Sequence, residues 1–250
     1  MILHIPHASA TIPAQFRDQF ILNNKELASE HLRLVDAYTG ELFESTGANV
    51  ICFPYSRLLV DVERFPNDDQ EPMSQVGMGM LYTQTSTGMP LRRLLEQSEK
   101  TKLNQLYDLH HLALTQSVER ELACEGTALI IDCHSFPSIP LPCDSSQVQP
   151  RPDICIGTDK FHTPKELLQK VIKSFERHNF SLGINEPYAG ALVPMNYYGK
   201  DARVLSIMIE INRSLYMNEA TGAKSPVFEE LKNALNRVLN VLMKSNQGEK

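Results

Sequence analysis

Four places in the chain put ionisable side chains directly beyond apolar runs. His7 follows the run from Met1 to Pro6. Arg57 and Arg64 flank the segment around Asp61. His134 stands in Ile130-Ile131-Asp132-Cys133-His134-Ser135, and Glu210 stands in Ile209-Glu210-Ile211-Asn212-Arg213. The chemistry these residue types support together is hydrolysis assisted by a divalent cation. A catalytic zinc takes three protein ligands and leaves one position for water, and a nearby carboxylate can accept that water's proton.

His134 is the sharpest of these. Asp132 lies two residues earlier, on the same side of a strand, where its carboxylate can steady one imidazole nitrogen while the other meets a metal. The alternative is a core histidine bonded to a backbone carbonyl. A lone His at a strand end, as His7 is, is more often a capping residue than a ligand, but a second imidazole in a matching position strengthens both. His4, inside the first apolar run, reads as a packing residue. The third metal ligand is left open, because His7-Ala8-Ser9-Ala10 holds no nearby carboxylate. Asp36, on an early helical stretch, is the candidate; otherwise it is a solvated helix carboxylate.

Glu210, between Ile209 and Ile211, is placed to be a buried carboxylate with a raised pKa, which suits a general base. A buried ion pair with Arg213 is the other possibility. Arg57, Arg64 and Arg213, with Asn212, are the candidates for holding a substrate carboxylate, since a guanidinium offers two parallel hydrogen bonds. Arg64 could instead bridge to Asp61 or Glu63. His110 and His111 are adjacent on a long helical stretch, so only one of them can face a site.

The elements that must position these residues alternate along the chain. Strands are expected at Met1 to Pro6, Ala48 to Pro54, Ala128 to Asp132, Asp153 to Gly157, after His178, and Arg203 to Ile211. Helices are expected at Lys25 to Glu44, Leu91 to Cys124 with Gly126 as terminator, Pro164 to His178, and Pro226 to Lys244. Phe65 to Pro90 is rich in Pro, Gly, Asp and Ser and reads as a long loop, as does Pro137 to Pro152. Ser245 to Lys250 is expected to fray. This order predicts one α/β domain over residues 1–250, with a mixed, largely parallel sheet whose ligands bind beyond the strands' carboxyl ends.

Composition narrows the partners. Hydrophobic residues make up 42% and charged residues 22% of 250, values of a globular protein, and the net charge of −6 argues against a nucleic-acid partner. Five irregularly spaced cysteines with no Cys-x-x-Cys pair point to reduced thiols. No secretory leader is evident at Met1 to His7, and no window approaches the roughly 18 apolar residues of a membrane span. A cytoplasmic location is expected, with no membrane partner and an oligomeric state that stays open.

Taken in order, several segments resemble the N-formylglutamate amidohydrolase family. They are Pro6-His7-Ala8-Ser9, Arg57 through Asp61-Val62-Glu63-Arg64, Asp132-Cys133-His134-Ser135, Asn185-Glu186-Pro187-Tyr188-Ala189-Gly190, and Glu210-Ile211-Asn212-Arg213-Ser214-Leu215-Tyr216-Met217. Gly77-Met78-Gly79 and His111 add to the likeness, which runs from Pro6 to about Met217. It implies an α/β/α sandwich around a mixed sheet, phosphorylase/hydrolase-like in build and related to the zinc carboxypeptidases and aspartoacylase-like deacylases. It also implies one zinc ion, with another divalent metal as the alternative, and release of formate from N-formylglutamate in histidine degradation. By the same likeness His7 and His134 carry the metal, an acidic residue at a comparable point is Asp36, and Glu210 is the catalytic carboxylate. Arg64 holds a substrate carboxylate, and His111 or an arginine assists the developing oxyanion. One position departs: Glu63 stands where the related segment carries Asn.

The expected partner is therefore a small anionic N-acyl amino acid. Other readings are a different zinc acyl-amino-acid hydrolase, a carboxypeptidase-like enzyme, and a non-catalytic metal- or amino-acid-binding protein.

Overall fold

The computed structural model describes residues 1–45 and 47–246. Six strands form one open sheet: β1 (Ile2–Ile5), β2 (Asn49–Cys52), β3 (Ala128–Phe136), β4 (Ile154–Thr158), β5 (Leu182–Ile184) and β6 (Val204–Asn212). Their order is β2-β1-β3-β6-β4-β5, and every neighbouring pair is parallel except β4 with β6. The helices around the sheet are α1 (Asn24–Leu34), α2 (Thr39–Leu42), α3 (Gln97–Glu125), α4 (Lys165–Glu176) and α5 (Phe228–Asn246). The fold is thus the expected α/β arrangement around a mixed, mostly parallel sheet. No helix among the described residues is long and apolar enough to cross a membrane. All five cysteines are free.

The two-residue period of a strand divides the central strands between two cores. Leu3, Ile5, Leu129, Ile131, Cys133, Ile207, Ile209 and Ile211 pack with Phe175 of α4 and with Leu235 and Leu239 of α5. Ile2, Ala128, Ile130 and Val204 pack on the other face against Leu114 and Val118 of α3. That second face is apolar only over the first half of each strand. Toward the carboxyl ends its residues become His4 on β1, Asp132 and His134 on β3, and Glu210 on β6. The same alternation that builds the core therefore aligns the polar residues on one face.

Three boundaries differ from expectation. The helical pattern from Lys25 to Glu44 is broken after α1. Val35 leaves the helix, Tyr38 adopts a left-handed φ of 68°, and α2 starts only at Thr39. Asp36 sits in that break, where its backbone N–H donates to the His7 carbonyl at 2.9 Å. Asp36 is therefore neither a helix residue nor solvated. Second, β3 continues through Phe136, so His134 lies within the strand rather than just past it. Third, α3 begins at Gln97, with a reciprocal Glu96–Glu99 cap, and ends at Gly126, whose φ of 76° closes it.

The apolar run Leu58 to Val62 is not a strand. It packs in a third core with Phe53, Met78, Met80 and Tyr82, which also anchors the segment from Phe65 to Pro90. That segment contains a short 3-10 helix at Pro72–Val76, closed by Gly77 in the left-handed conformation. Of the expected fray, α5 takes in Ser245 and Asn246, while residues 247–250 lie outside the described residues.

Candidate active site

A cavity of about 590 Å³ opens beyond the carboxyl ends of β1, β3 and β6, and its lining includes His7, Asp36, Glu63, Asp132, His134 and Glu210. The loop carrying Gly190 forms part of the wall. It can approach the sheet because Gly157 on β4 has no Cβ, which would otherwise collide with the Gly190 carbonyl.

Two histidines and three aspartates form the centre. The His7 and His134 ring centroids are 5.1 Å apart. His7 Nε2 lies 2.9 Å from Asp61 Oδ1. His134 Nε2 lies 3.1 Å from Asp132 Oδ1. Each of these nitrogens donates to an ionised carboxylate, which leaves the two Nδ1 atoms as the reactive positions. Both Nδ1 atoms lie near one oxygen: Asp36 Oδ2 is 3.7 Å from His7 and 3.1 Å from His134. His7 Nδ1 is buried without a hydrogen bond.

Glu63 offers a second carboxylate to the same pair. Its Oε2 is 3.0 Å from His134 Nε2 and 3.9 Å from His7 Nδ1, and one ligand atom from each of His7, Glu63 and His134 falls within a 4.8 Å span. A further group, His4 with Glu63 and Asp132, meets the same criterion. There, however, His4 is already committed, with Nδ1 2.8 Å from Asp132 and Nε2 2.8 Å from His110. His4 is thus a buried brace for Asp132 rather than the packing residue expected. Neither His110 nor His111 is exposed: His110 is buried and His111 half-buried.

The electrostatics fit a divalent cation. The carboxylates Asp36, Asp61, Glu63, Asp132 and Glu210 outnumber the guanidinium groups Arg57, Arg64 and Arg213 by two around this centre. Burial opposes charge on His134, yet Glu63, Asp132 and Asp36 outweigh it and hold its pKa well above the ordinary value. For His7, burial and Arg57 are likewise outweighed by Asp61 and Asp36. Burial also opposes ionisation of Asp36, but His134, His7 and Arg213 keep its pKa far below the usual carboxylate range. The carboxylates thus draw protons onto the imidazoles, in positions a metal ion can take instead. The orphaned His7 Nδ1, the shared Asp36 oxygen and the mixed nitrogen–oxygen donor set suit a divalent metal ion.

Glu210 behaves differently. It pairs in register with His134 across β3 and β6 and is 7% exposed. Burial, reinforced by Asp36 and Glu63 against His134 and Arg213, raises its pKa to about 7. Its Oε2 is buried and has no partner. A carboxyl group poised near neutrality beside the His134 imidazole is suited to proton transfer.

The arginines divide into two kinds. Arg213 donates to Asp36 Oδ1 at 2.8 Å, Ser135 Oγ at 3.1 Å and the Arg33 carbonyl at 2.6 Å. Arg57 donates to Asp61 Oδ2 at 2.8 Å, to the Tyr82 hydroxyl at 3.1 Å and to the Leu34 carbonyl at 3.3 Å. Both guanidinium groups are consumed by the protein and hold Asp36 and Asp61 in place. Arg64 differs: its Nε is 3.8 Å from Asp61 and makes no hydrogen bond, although its side chain is only 24% exposed and lines the cavity.

The sequence model of N-formylglutamate amidohydrolase matches residues 1–217. The chain belongs to the N-formylglutamate amidohydrolase family. Its fold is similar to that of N-formylglutamate amidohydrolase from Ralstonia eutropha JMP134, with a TM-score of 0.84 and 22% identity over 97% of this chain and 92% of that one. A gene product of Agrobacterium tumefaciens is similar at a TM-score of 0.64 and 19% identity, over 97% and 89% of the two chains. No curated protein matches in sequence.

Within this N-formylglutamate amidohydrolase-family chain, two expected site residues fall outside the cavity. Asn212 caps the 3-10 turn Arg213–Leu215, its Oδ1 accepting from Ser214 N at 3.1 Å and its Nδ2 donating to the Pro152 carbonyl at 3.0 Å. Both ends of its amide are turned toward the protein, away from the cavity lining. His111 bonds through Nε2 to the Val62 carbonyl at 2.7 Å, behind the Asp61–Arg64 segment. It supports that segment from α3 and does not reach the reacting centre. Two residues not expected at the site are there. Asp61 had been read only as an ion-pair partner, yet it orients His7. Glu63, expected as a departure from the family pattern or as a bridge to Arg64, contacts His134. In both cases the signal was the carboxylate spacing of Asp61-Val62-Glu63.

Proposed function

We propose that the chain hydrolyses the amide bond of N-formyl-L-glutamate, giving formate and L-glutamate, with one zinc ion held by His7 Nδ1, His134 Nδ1 and Asp36 Oδ2. The observation that carries this reading is the convergence of both Nδ1 atoms on one Asp36 oxygen, with each Nε2 tied to its own aspartate. Glu63 forms the compact set with His7 and His134, but Asp36 is favoured because Glu63 approaches His134 at Nε2, the nitrogen that Asp132 already holds. Family membership supplies the substrate class.

The cation, when bound, supplies positive charge that polarises a carbonyl and makes water more acidic. The remaining work belongs to side chains. Asp61 and Asp132 fix the imidazoles, and Arg213 fixes Asp36. Glu210 takes the proton of the attacking water at a carboxylate oxygen and returns it to the departing amine nitrogen, which becomes the α-amino group of glutamate. Arg64 binds the α-carboxylate with its free donors, which places the formyl carbon beside Glu210.

Glu63 favours a second reading on the same scaffold, an N-acyl amino acid other than the formyl-glutamyl one, because its charge sits in the cavity next to Arg64. Release of the free amino acid from a panel of N-formyl, N-acetyl and N-succinyl amino acids tests both. Fastest turnover of N-formylglutamate supports the first reading, and a clear preference for another acyl group selects the second. A place in histidine degradation follows only from the first.

A further inference from the structure

Four arginines line the cavity, and two of them have their donors spent on protein acceptors. N-formylglutamate carries two carboxylates, so it calls for two cations with donors to spare. Arg64 is one. The other is Arg33, the penultimate residue of α1, three positions before Asp36 in the chain. Its backbone carbonyl is pinned by Arg213 at 2.6 Å, while its side chain is 45% exposed and lines the cavity. Among the described residues its guanidinium meets only Glu30, at 3.5 Å. That carboxylate is itself engaged by the backbone N–H and hydroxyl of Ser86. At 3.5 Å, with the Arg33 side chain 45% exposed, this contact leaves the rest of the fork open.

We propose that Arg33 recognises the side-chain carboxylate of the substrate and makes the cavity selective for an acidic over a neutral amino acid. This rests on the reading of the cavity as a site for N-acyl amino acids. The backbone of Arg33 is fixed through Arg213 to the same carboxylate that faces both imidazoles. The recognition arm therefore grows from a point tied to the reacting centre. Arg64 and Arg33 then divide the substrate: one holds the α-carboxylate common to all amino acids, the other reads the side chain.

The test compares L-glutamate with L-glutamine, which differ only in that side-chain charge. Their binding to the zinc-loaded protein is measured by calorimetry for the wild type, Arg33→Gln and Arg33→Lys, alongside turnover of N-formylglutamate and N-formylglutamine. The wild type is expected to prefer glutamate at least tenfold in binding and in kcat/KM. Arg33→Gln should abolish that preference, and Arg33→Lys should retain part of it. A preference in Arg33→Gln equal to that of the wild type overturns the proposal, as does a wild type with no preference. If binding is selective and lost in Arg33→Gln while no formyl substrate is turned over, the hydrolytic reading fails and this inference stands.

Discussion

Asp36 Oδ2 lies between His7 and His134, 3.7 Å from one Nδ1 and 3.1 Å from the other, while its second oxygen is held 2.8 Å from Arg213. One buried carboxylate is thereby shared by two imidazoles, one just beyond β1 and one within β3, and locked by a guanidinium. This relationship orders the rest of the site. Asp61 and Asp132 occupy the far nitrogens of the two rings, and Glu210 stands beside them with nothing bound to its Oε2.

Replacing Glu210 with Gln removes the proton carrier while preserving shape. Turnover of N-formylglutamate should fall by roughly 10²–10⁴-fold, with metal content unchanged. Formate release and metal analysis on the same sample check both halves. Wild-type turnover in this variant excludes the base role.

The pKa of about 7 at Glu210, against 4.5 for the free group, has a defined sign. A carboxyl group that holds its proton more tightly in the folded chain stabilises that chain below the unfolded pKa, and the contribution is lost as pH rises through about 7. The metal-free wild type should therefore lose about 3 kcal/mol relative to Glu210→Gln between pH 4.5 and pH 7.5, from the shift of about 2.5 units. Urea unfolding of the two proteins across this range measures it as the pH-dependent part of their stability difference. A difference independent of pH contradicts the assignment. In the loaded enzyme a cation adds positive charge nearby, so the acid limb of kcat/KM should lie at or below about 7.

How far the sequence revealed this site depended on whether local pattern or tertiary contact decided each residue. His134 with Asp132, and Glu210 within an apolar strand, are legible because a strand's period of two fixes which side chains share a face. The six-strand alternation with helices is legible for the same reason. The break that turns Asp36 toward the imidazoles is not, because the apolar spacing from Leu27 to Leu42 suits a continuous helix. It is the contact of Asp36 N–H with the His7 carbonyl, together with the left-handed Tyr38, that ends α1. The fates of Arg57 and Arg213 were equally hidden. Whether a guanidinium faces substrate or protein depends on acceptors such as the Leu34 and Arg33 carbonyls, which no side-chain pattern announces.

Asp61→Asn keeps an acceptor for His7 Nε2 but removes the charge that holds the ring. Zinc affinity should drop by roughly 10–100-fold. Competition with a chromophoric chelator measures this. An unchanged affinity shows that Asp61 serves Arg57 and Tyr82 alone.

Asn212→Ala separates capping from substrate binding. Loss of the cap should cost about 0.5–2 kcal/mol of stability, while KM stays at the wild-type value because the side chain lies outside the cavity. Urea unfolding and steady-state kinetics check the two parts. A raised KM with unchanged stability restores Asn212 to the substrate site.

The most direct measurement is zinc titration of chelator-stripped protein, following bound metal and formate release together, with Asp36→Asn in parallel. One tightly bound ion per chain is expected, with activity rising in proportion to occupancy and Asp36→Asn weaker by roughly 100-fold or more. Full formate release from the stripped protein, or Asp36→Asn binding as tightly as the wild type, would contradict the account.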